Sequence, residues 1–123
     1  MKTVELMFRD RISELSMDFA IRIVQLSQKL ENEREFILSR QIRKSGTSIG
    51  ANVRESKYAQ SKADFISKLQ IALKEAGETD FWLELLFRTS YISEADYSEL
   101  SGLCKQMIAM LTASVRTSIE NNK

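Results

Sequence analysis

The feature that most constrains the fold of this chain is its shortage of turn-forming residues. Its 123 residues include no proline, and glycine occurs only at Gly46, Gly50, Gly77 and Gly102. Strand-rich folds need a turn about every 8–12 residues, usually built with glycine or proline. The chain therefore favours long helices, and its length suits one domain with a core of ordinary size.

Apolar residues recur at steps of three and four, which predicts four amphipathic helices at roughly 3–30, 35–59, 62–91 and 94–120. Ser61 and Ser93 each precede an aspartate by three residues, the spacing of a helix N-cap. Short polar connections then predict one all-α domain over 1–123, an antiparallel up-down-up-down four-helix bundle. The predicted core positions are Val4, Phe8, Ile12, Leu15, Phe19, Ile23, Leu26, Leu30, Leu38, Ile42, Ile49, Val53, Phe65, Leu69, Ala72, Leu73, Ala76, Leu83, Leu86, Tyr97, Leu100, Cys104, Met107, Ile108, Leu111, Val115 and Ile119.

Residues 38–57 predict a helix with three different faces. Beside its apolar face, a polar stripe should be partly buried and therefore hydrogen-bonded. That stripe could be a structural network fixing helix register or a subunit contact, or a ligand or catalytic site. Two glycines inside this helix each cost about 1 kcal/mol relative to alanine, which indicates close approach of another backbone. The polar stripe consists of Gln41, Ser48, Asn52 and Glu55.

The third face of the same helix is basic. It could bind phosphates, or it could be solvated surface or pair with acidic residues of a neighbouring subunit. Residues 40–74 carry eight basic and two acidic side chains, whereas residues 75–99 carry seven acidic and one basic. The overall net charge of +1 is far from the profile of a typical nucleic-acid binder. The candidate nucleic-acid-binding residues are Arg40, Arg43, Lys44, Arg54 and Lys57.

The segment 81–87 holds more large apolar side chains than one stripe of a helix can bury. A helix that is apolar around most of its circumference is covered on more than one side. In a chain this small, a second subunit is the simplest cover. The candidate oligomer-interface residues are Phe81, Trp82, Leu85 and Phe87.

Several kinds of chemistry are disfavoured by the composition. Histidine is absent, which removes the commonest general base and a main metal ligand. The single cysteine, Cys104, lies in an apolar stripe and cannot form an internal disulfide. We therefore expect no enzymatic activity, no catalytic or metal site and no cofactor. Charges at the N-terminus and the lack of an 18-residue apolar run predict a cytoplasmic protein without membrane contact.

The second and third helices resemble a four-helix-bundle family first found encoded in intervening sequences of bacterial 23S ribosomal RNA genes. The family that these helices resemble has a related branch, the accessory variability determinant of diversity-generating retroelements. The similarity lies in Ser39-Arg40-Gln41-Ile42-Arg43-Lys44 through Ser48-Ile49-Gly50-Ala51-Asn52-Val53-Arg54-Glu55, then Ser61-Lys62-Ala63-Asp64-Phe65 and Leu69-Gln70-Ile71-Ala72-Leu73.

This resemblance implies a bundle that assembles into a ring of five, with no known enzymatic activity and no established cellular role. In the retroelement branch, members bind a reverse transcriptase and nucleic acid through a basic surface, so a protein or nucleic-acid partner is implied as an alternative. Gly50 stands where the family often has proline, and Ser56 where it often has glycine. The second helix should therefore be less kinked and run on further.

Overall fold

The computed structural model describes residues 4–121, with side chains from position 7 onward. This part of the chain contains four helices and no strand, which confirms the all-α prediction. The helices are α1 (Val4–Asn32), α2 (Phe36–Ser56), α3 (Lys62–Arg88) and α4 (Glu94–Glu120).

Three of the helices begin with a side-chain cap. Ser61 accepts a hydrogen bond from the backbone N–H of Asp64 (3.0 Å), and Ser93 accepts one from Asp96 (3.1 Å). Both caps were predicted from the spacing. The carboxylate of Glu35 caps α2, because it accepts from the backbone N–H groups of residues 37 and 38. These bonds satisfy backbone donors that the first turn of a helix leaves without partners.

Two connections reverse the chain without glycine. Arg34 (φ 63°) and Ser90 (φ 68°) adopt the left-handed conformation two residues after the ends of α1 and α3. The next backbone N–H bonds back to a carbonyl of the last helical turn, Glu35 to Leu30 (2.8 Å) and Tyr91 to Leu86 (2.9 Å). This is the Schellman arrangement, usually built with glycine. It explains how a glycine-poor chain makes tight turns.

Helix α2 is continuous through Gly50 but ends at Ser56, three residues before its predicted end. The backbone N–H groups of Lys57 and Tyr58 donate to Arg54 and Glu55, three residues back, so the last turn tightens and the helix stops. Helix α1 runs two residues beyond its predicted end, and α3 stops three residues before its own.

Neighbouring helices in the chain are neighbours in space, and α1 also contacts α4. In α2, Gly46 lies beside Ile23 of α1, and Gly50, further along α2, lies beside Ser16, which is earlier in α1. Contacts between α3 and α4 follow the same descending order, because Ser101 bonds to Asp80 and Cys104 to Ala76. This order is compatible with an antiparallel bundle.

The two α2 glycines both face α1. A Cβ at Gly46 would lie 2.7 Å from Cγ2 of Ile23, and one at Gly50 would lie 3.4 Å from the backbone oxygen of Ser16. The tight neighbour at Gly46 is thus a side chain rather than the predicted backbone, whereas at Gly50 the neighbour is backbone at ordinary contact distance.

The core lies between the four helices and follows the predicted periodicity. Its largest fully buried side chains include Phe19, Ile49, Leu83 and Met107. Most other predicted core residues are buried or half-buried. Ile119 is the exception, since it is 43% exposed and the buried position in the last turn of α4 is taken by Ser118. The side chain of Val4 lies outside the described residues.

Candidate interaction surface

Arg43 does not join the basic face of α2. Its Nε donates to the hydroxyl of Ser27 (2.6 Å), and its guanidinium lies 3.5 Å from a carboxylate oxygen of Glu31. The buried hydroxyl of Ser39 donates to the backbone carbonyl of Ser27 (2.9 Å). Two residues of the sequence motif, Ser39 and Arg43, therefore join α2 to α1 inside one chain. A helical-wheel projection cannot show this, because it does not locate the neighbouring helix.

The other four candidate cations, Arg40, Lys44, Arg54 and Lys57, are exposed. Among the ion pairs of the described residues, none involves these four side chains. Fourteen residues separate Arg40 from Arg54, which corresponds to about 21 Å along the helix. Within the part of the chain that the structure describes, α2 thus carries a strip of cations without ion pairs.

The polar stripe is less buried than the sequence predicted. Gln41 and Glu55 are exposed, and only Ser48 and Asn52 are half-buried. Within the described residues the stripe's one hydrogen bond runs from Nδ2 of Asn52 to the backbone oxygen of Ser48 (2.9 Å), one turn earlier. The stripe therefore forms no network between helices. Polar residues on the outer half of a helix can be solvated even when they border the apolar face.

The buried polar link between α2 and α3 is elsewhere. Ser45 and Thr79 are fully buried, and their hydroxyl oxygens lie 2.9 Å apart. The oxygen of Thr79 is also 2.7 Å from the backbone oxygen of Glu75. A hydroxyl carries one proton, so the consistent assignment has Thr79 donating to Glu75 and Ser45 donating to Thr79. The spacing of apolar residues gave no signal for this pairing.

Small side chains open a groove of about 460 Å³ between α1 and α2. Its floor includes Ser16, Ala20 and Gly50, while Arg54 and Glu55 line it as the only charged groups. The hydroxyls that line this groove, those of Ser13, Ser16 and Thr47, donate to backbone carbonyls of their own helices. The other lining residues are Ser13, Met17, Thr47, Ala51 and Val53.

The four candidate interface residues fall into two groups. Phe81 is 59% exposed and meets Trp82 edge-on at 5.1 Å, while Leu85 is half-buried. Phe87 instead stacks on Tyr97 of α4 at 4.6 Å and thus packs within the chain. The indole N–H of Trp82 is buried without a hydrogen-bond partner. Further exposed apolar side chains, not identified from the sequence, are Met7, Met17, Ile21, Phe36, Ile37, Tyr58 and Ile71.

Cys104 is buried, and its thiol donates to the backbone oxygen of Ala76 (3.1 Å). Burial, and secondarily the charge of Asp80, raises the pKa of this thiol to about 12. Such a thiol is a poor nucleophile because the reactive form is the thiolate. Among the described residues, no group of cysteine, aspartate and glutamate side chains is placed to hold a metal ion.

No helix in the described part of the chain is long and apolar enough to cross a membrane.

Among curated proteins, none matches the chain. One similar solved structure is the 1.70 Å crystal structure of a protein of unknown function from the S23 ribosomal protein family of Bacteroides thetaiotaomicron VPI-5482. It shares 48% sequence identity, with a TM-score of 0.86 over 89% of this chain and 98% of that one.

The family model for the 23S rRNA-intervening sequence protein matches residues 10–113. This range includes the α1–α2 junction, both α2 glycines and the aromatic pair Phe81 and Trp82 of α3. The chain therefore belongs to the 23S rRNA-intervening sequence protein family.

Proposed function

We propose that this protein is a non-enzymatic, homo-oligomeric interaction or scaffold protein, built from antiparallel up-down-up-down bundles and assembled as a ring of five. The observation that carries the proposal is the amount of large apolar side chain left on the bundle surface. Exposed Phe81 beside half-buried Trp82, and exposed Met17 beside Ile21, form contiguous patches rather than scattered single residues. Patches of this kind mark association surfaces.

The absence of a catalytic arrangement in the described residues supports an interaction role. The groove between α1 and α2 holds no paired acid and base, and the one cysteine is a buried thiol with a raised pKa. The ring of five rests on the family resemblance of the second and third helices.

Size-exclusion chromatography with light scattering at two well-separated protein concentrations tests the proposal. We expect a mass that is a multiple of the 14.1 kDa chain and that does not change with dilution. A chain that is monomeric at both concentrations would overturn it.

A second candidate function is RNA or DNA binding by the exposed cations of α2. Arg40, Lys44, Arg54 and Lys57 are free of ion pairs among the described residues, so they are available to phosphates. The retroelement branch supports this alternative through its basic surface. Arg43 contributes less than its position in the motif suggests, because it bonds to α1.

Fluorescence anisotropy with labelled RNA and DNA tests this candidate at low and high salt. Electrostatic binding should be strong at about 50 mM salt and fall steeply as salt rises. The double variant Arg40→Glu with Arg54→Glu should abolish it. The matched control is Lys105→Glu with Arg116→Glu, which makes the same charge change at exposed positions of α4. Equal binding by both double variants would exclude this role for α2.

A further inference from the structure

A groove lies at the end of the bundle where Phe8 of α1 and Lys62, the first residue of α3, meet the last turns of α4. We propose that this end groove binds a small carboxylic acid with an aliphatic chain. Its volume of about 310 Å³ is near the lower end of the range for small-molecule sites, about 300–1,000 Å³. The inference goes beyond the proposed function and does not depend on the number of subunits.

Small side chains of α4 open the end groove. Ala113 and Ser114 line it, and the next lining residues of this helix are Thr117 and Ser118. Residues three or four positions apart lie on the same face of a helix. Asn121 also lines the groove, and the eight steps from Ala113 to Asn121 rise about 12 Å. A groove of this length and volume is narrow, which suits an extended hydrocarbon chain.

The hydroxyl of Ser118 is the observation that points to a ligand. Ser118 is only 5% exposed, and it lines the end groove. The seven other buried serine and threonine residues in the described part of the chain each make a side-chain hydrogen bond. The Ser118 hydroxyl makes none with any residue that the structure describes. Buried polar groups are normally hydrogen-bonded, so this donor is available to a molecule in the groove.

Lys62 places a positive charge at the same groove. It is the one charged residue among the described residues that line the end groove. The ion pairs formed between described residues do not include it. Its ammonium lies 5.9 Å from the ring centroid of Phe65, at the outer limit of a cation–π contact, so it is free to turn toward an anion. One cation and a hydroxyl donor fit a singly charged carboxylate better than a doubly charged phosphate.

The remaining surface of the end groove is mostly apolar. Phe8 and Ala113 contribute to it, and Phe8 is half-buried against the core. A small polar molecule would gain little from this surface, whereas a hydrocarbon chain is removed from water along its length. Apolar walls, one cation and one available hydroxyl therefore select a carboxylate with an aliphatic tail.

Titration of octanoate into the isotope-labelled full chain, followed by backbone amide chemical shifts, tests the inference. We expect saturable shifts at Lys62, Ser114 and Ser118. Hexanoate should bind roughly tenfold more weakly, because each buried methylene contributes about fourfold in affinity. Octylamine has the same chain with the opposite charge and should not shift these amides. The inference is overturned if octanoate gives no saturable shift at these residues or if octylamine binds there equally well.

Two variants test the contacts to the carboxylate by calorimetric titration. Ser118→Ala should weaken octanoate binding about tenfold, because it removes a hydrogen bond to a charged group. Lys62→Glu should weaken it at least about fivefold, because repulsion replaces an exposed ion pair. The matched controls are Ser98→Ala and Lys105→Glu, at exposed positions of α4 outside the end groove, and they should bind like the wild type. Wild-type affinity in either test variant overturns the inference.

Urea unfolding of Ser118→Ala distinguishes a binding hydroxyl from a structural one. Because the hydroxyl has no partner in the described part of the free chain, its removal should leave the midpoint unchanged or raise it. Ser101→Ala is the comparison and should be destabilised, since the Ser101 hydroxyl donates to Asp80 (3.1 Å). Octanoate should raise the midpoint of the wild type more than that of Ser118→Ala. A loss of stability in Ser118→Ala as large as in Ser101→Ala would reveal an internal partner and overturn the inference.

Discussion

The hydroxyl oxygens of Ser45 and Thr79 lie 2.9 Å apart between α2 and α3, and both residues are fully buried. Thr79→Val keeps the shape of the side chain but leaves the Ser45 hydroxyl only a 3.5 Å contact with the backbone oxygen of Ile42. A buried polar group without a good partner costs about 1–3 kcal/mol. We expect this variant to lose stability in that range in urea unfolding at a fixed protein concentration.

Ser45→Ala is the matched comparison. Here Thr79 keeps its hydrogen bond to the backbone oxygen of Glu75, so no donor is left without a partner. The loss should be smaller than for Thr79→Val. An equal or larger loss for Ser45→Ala would contradict the assigned direction of the two hydrogen bonds.

The two arginines of the motif should differ in their effect on stability. Arg43→Ala removes a 2.6 Å charge-assisted hydrogen bond to Ser27 and a contact with Glu31, and should cost about 1–2 kcal/mol. Arg40→Ala removes an exposed side chain with no ion pair in the described residues and should change stability by less than about 0.5 kcal/mol. Thermal unfolding, monitored by circular dichroism, compares the stability of the two variants. Similar losses would mean that the link to α1 contributes little.

Glycine substitutions should have opposite signs in different helices. Gly46→Ala places a Cβ 2.7 Å from Cγ2 of Ile23, and should destabilise the protein despite the better helix propensity of alanine. Gly102→Ala in α4 meets no atom within 4 Å and should stabilise it by up to about 1 kcal/mol. Urea unfolding checks both. A stabilising Gly46→Ala would show that α1 and α2 are less tightly packed than in this structure.

The raised pKa of Cys104, from 9.0 to about 12, makes stability fall with pH. Below pH 9 the thiol is protonated in both the folded and unfolded states, and its contribution is fully present. Between pH 9 and 12 only the unfolded state loses the proton, so the free energy of unfolding decreases by about 1.4 kcal/mol per pH unit. This contribution is absent from Cys104→Ala. Comparing the free energies of unfolding of the wild type and Cys104→Ala between pH 9 and 12 isolates the contribution of the thiol, since other groups titrate alike in both proteins.

Equal pH slopes for the two proteins would contradict a buried, protonated thiol. A second readout is modification by a thiol reagent near pH 8, where the folded protein should react far more slowly than the unfolded chain.

Helix number, type and most of the core follow from the spacing of apolar residues. Two helix starts were also predictable, because a serine three residues before an aspartate is a local capping signal that does not depend on other helices, as at Ser61 and Ser93. The ends were less predictable. Helix α2 stops at Ser56 through backbone bonds of its last turn, which no side-chain pattern encodes.

The faces of α2 show that a helical wheel does not give the positions of neighbouring helices. A wheel gives the angle of Arg43 but not the position of α1, so the bond to Ser27 was missed and Arg43 was grouped with the basic residues. The same limit applies to Glu55, which was expected to be half-buried and is exposed. The pairing of Ser45 with Thr79 also depends on the height at which two helices pack. Sequence patterns do not specify that height.

Native mass spectrometry of the full chain tests the central claim most directly, because it counts the subunits in one particle. The account predicts a single dominant species with five times the 14.1 kDa chain mass. A particle of one chain at every concentration would contradict the homo-oligomer, and a particle of two chains would contradict the ring of five.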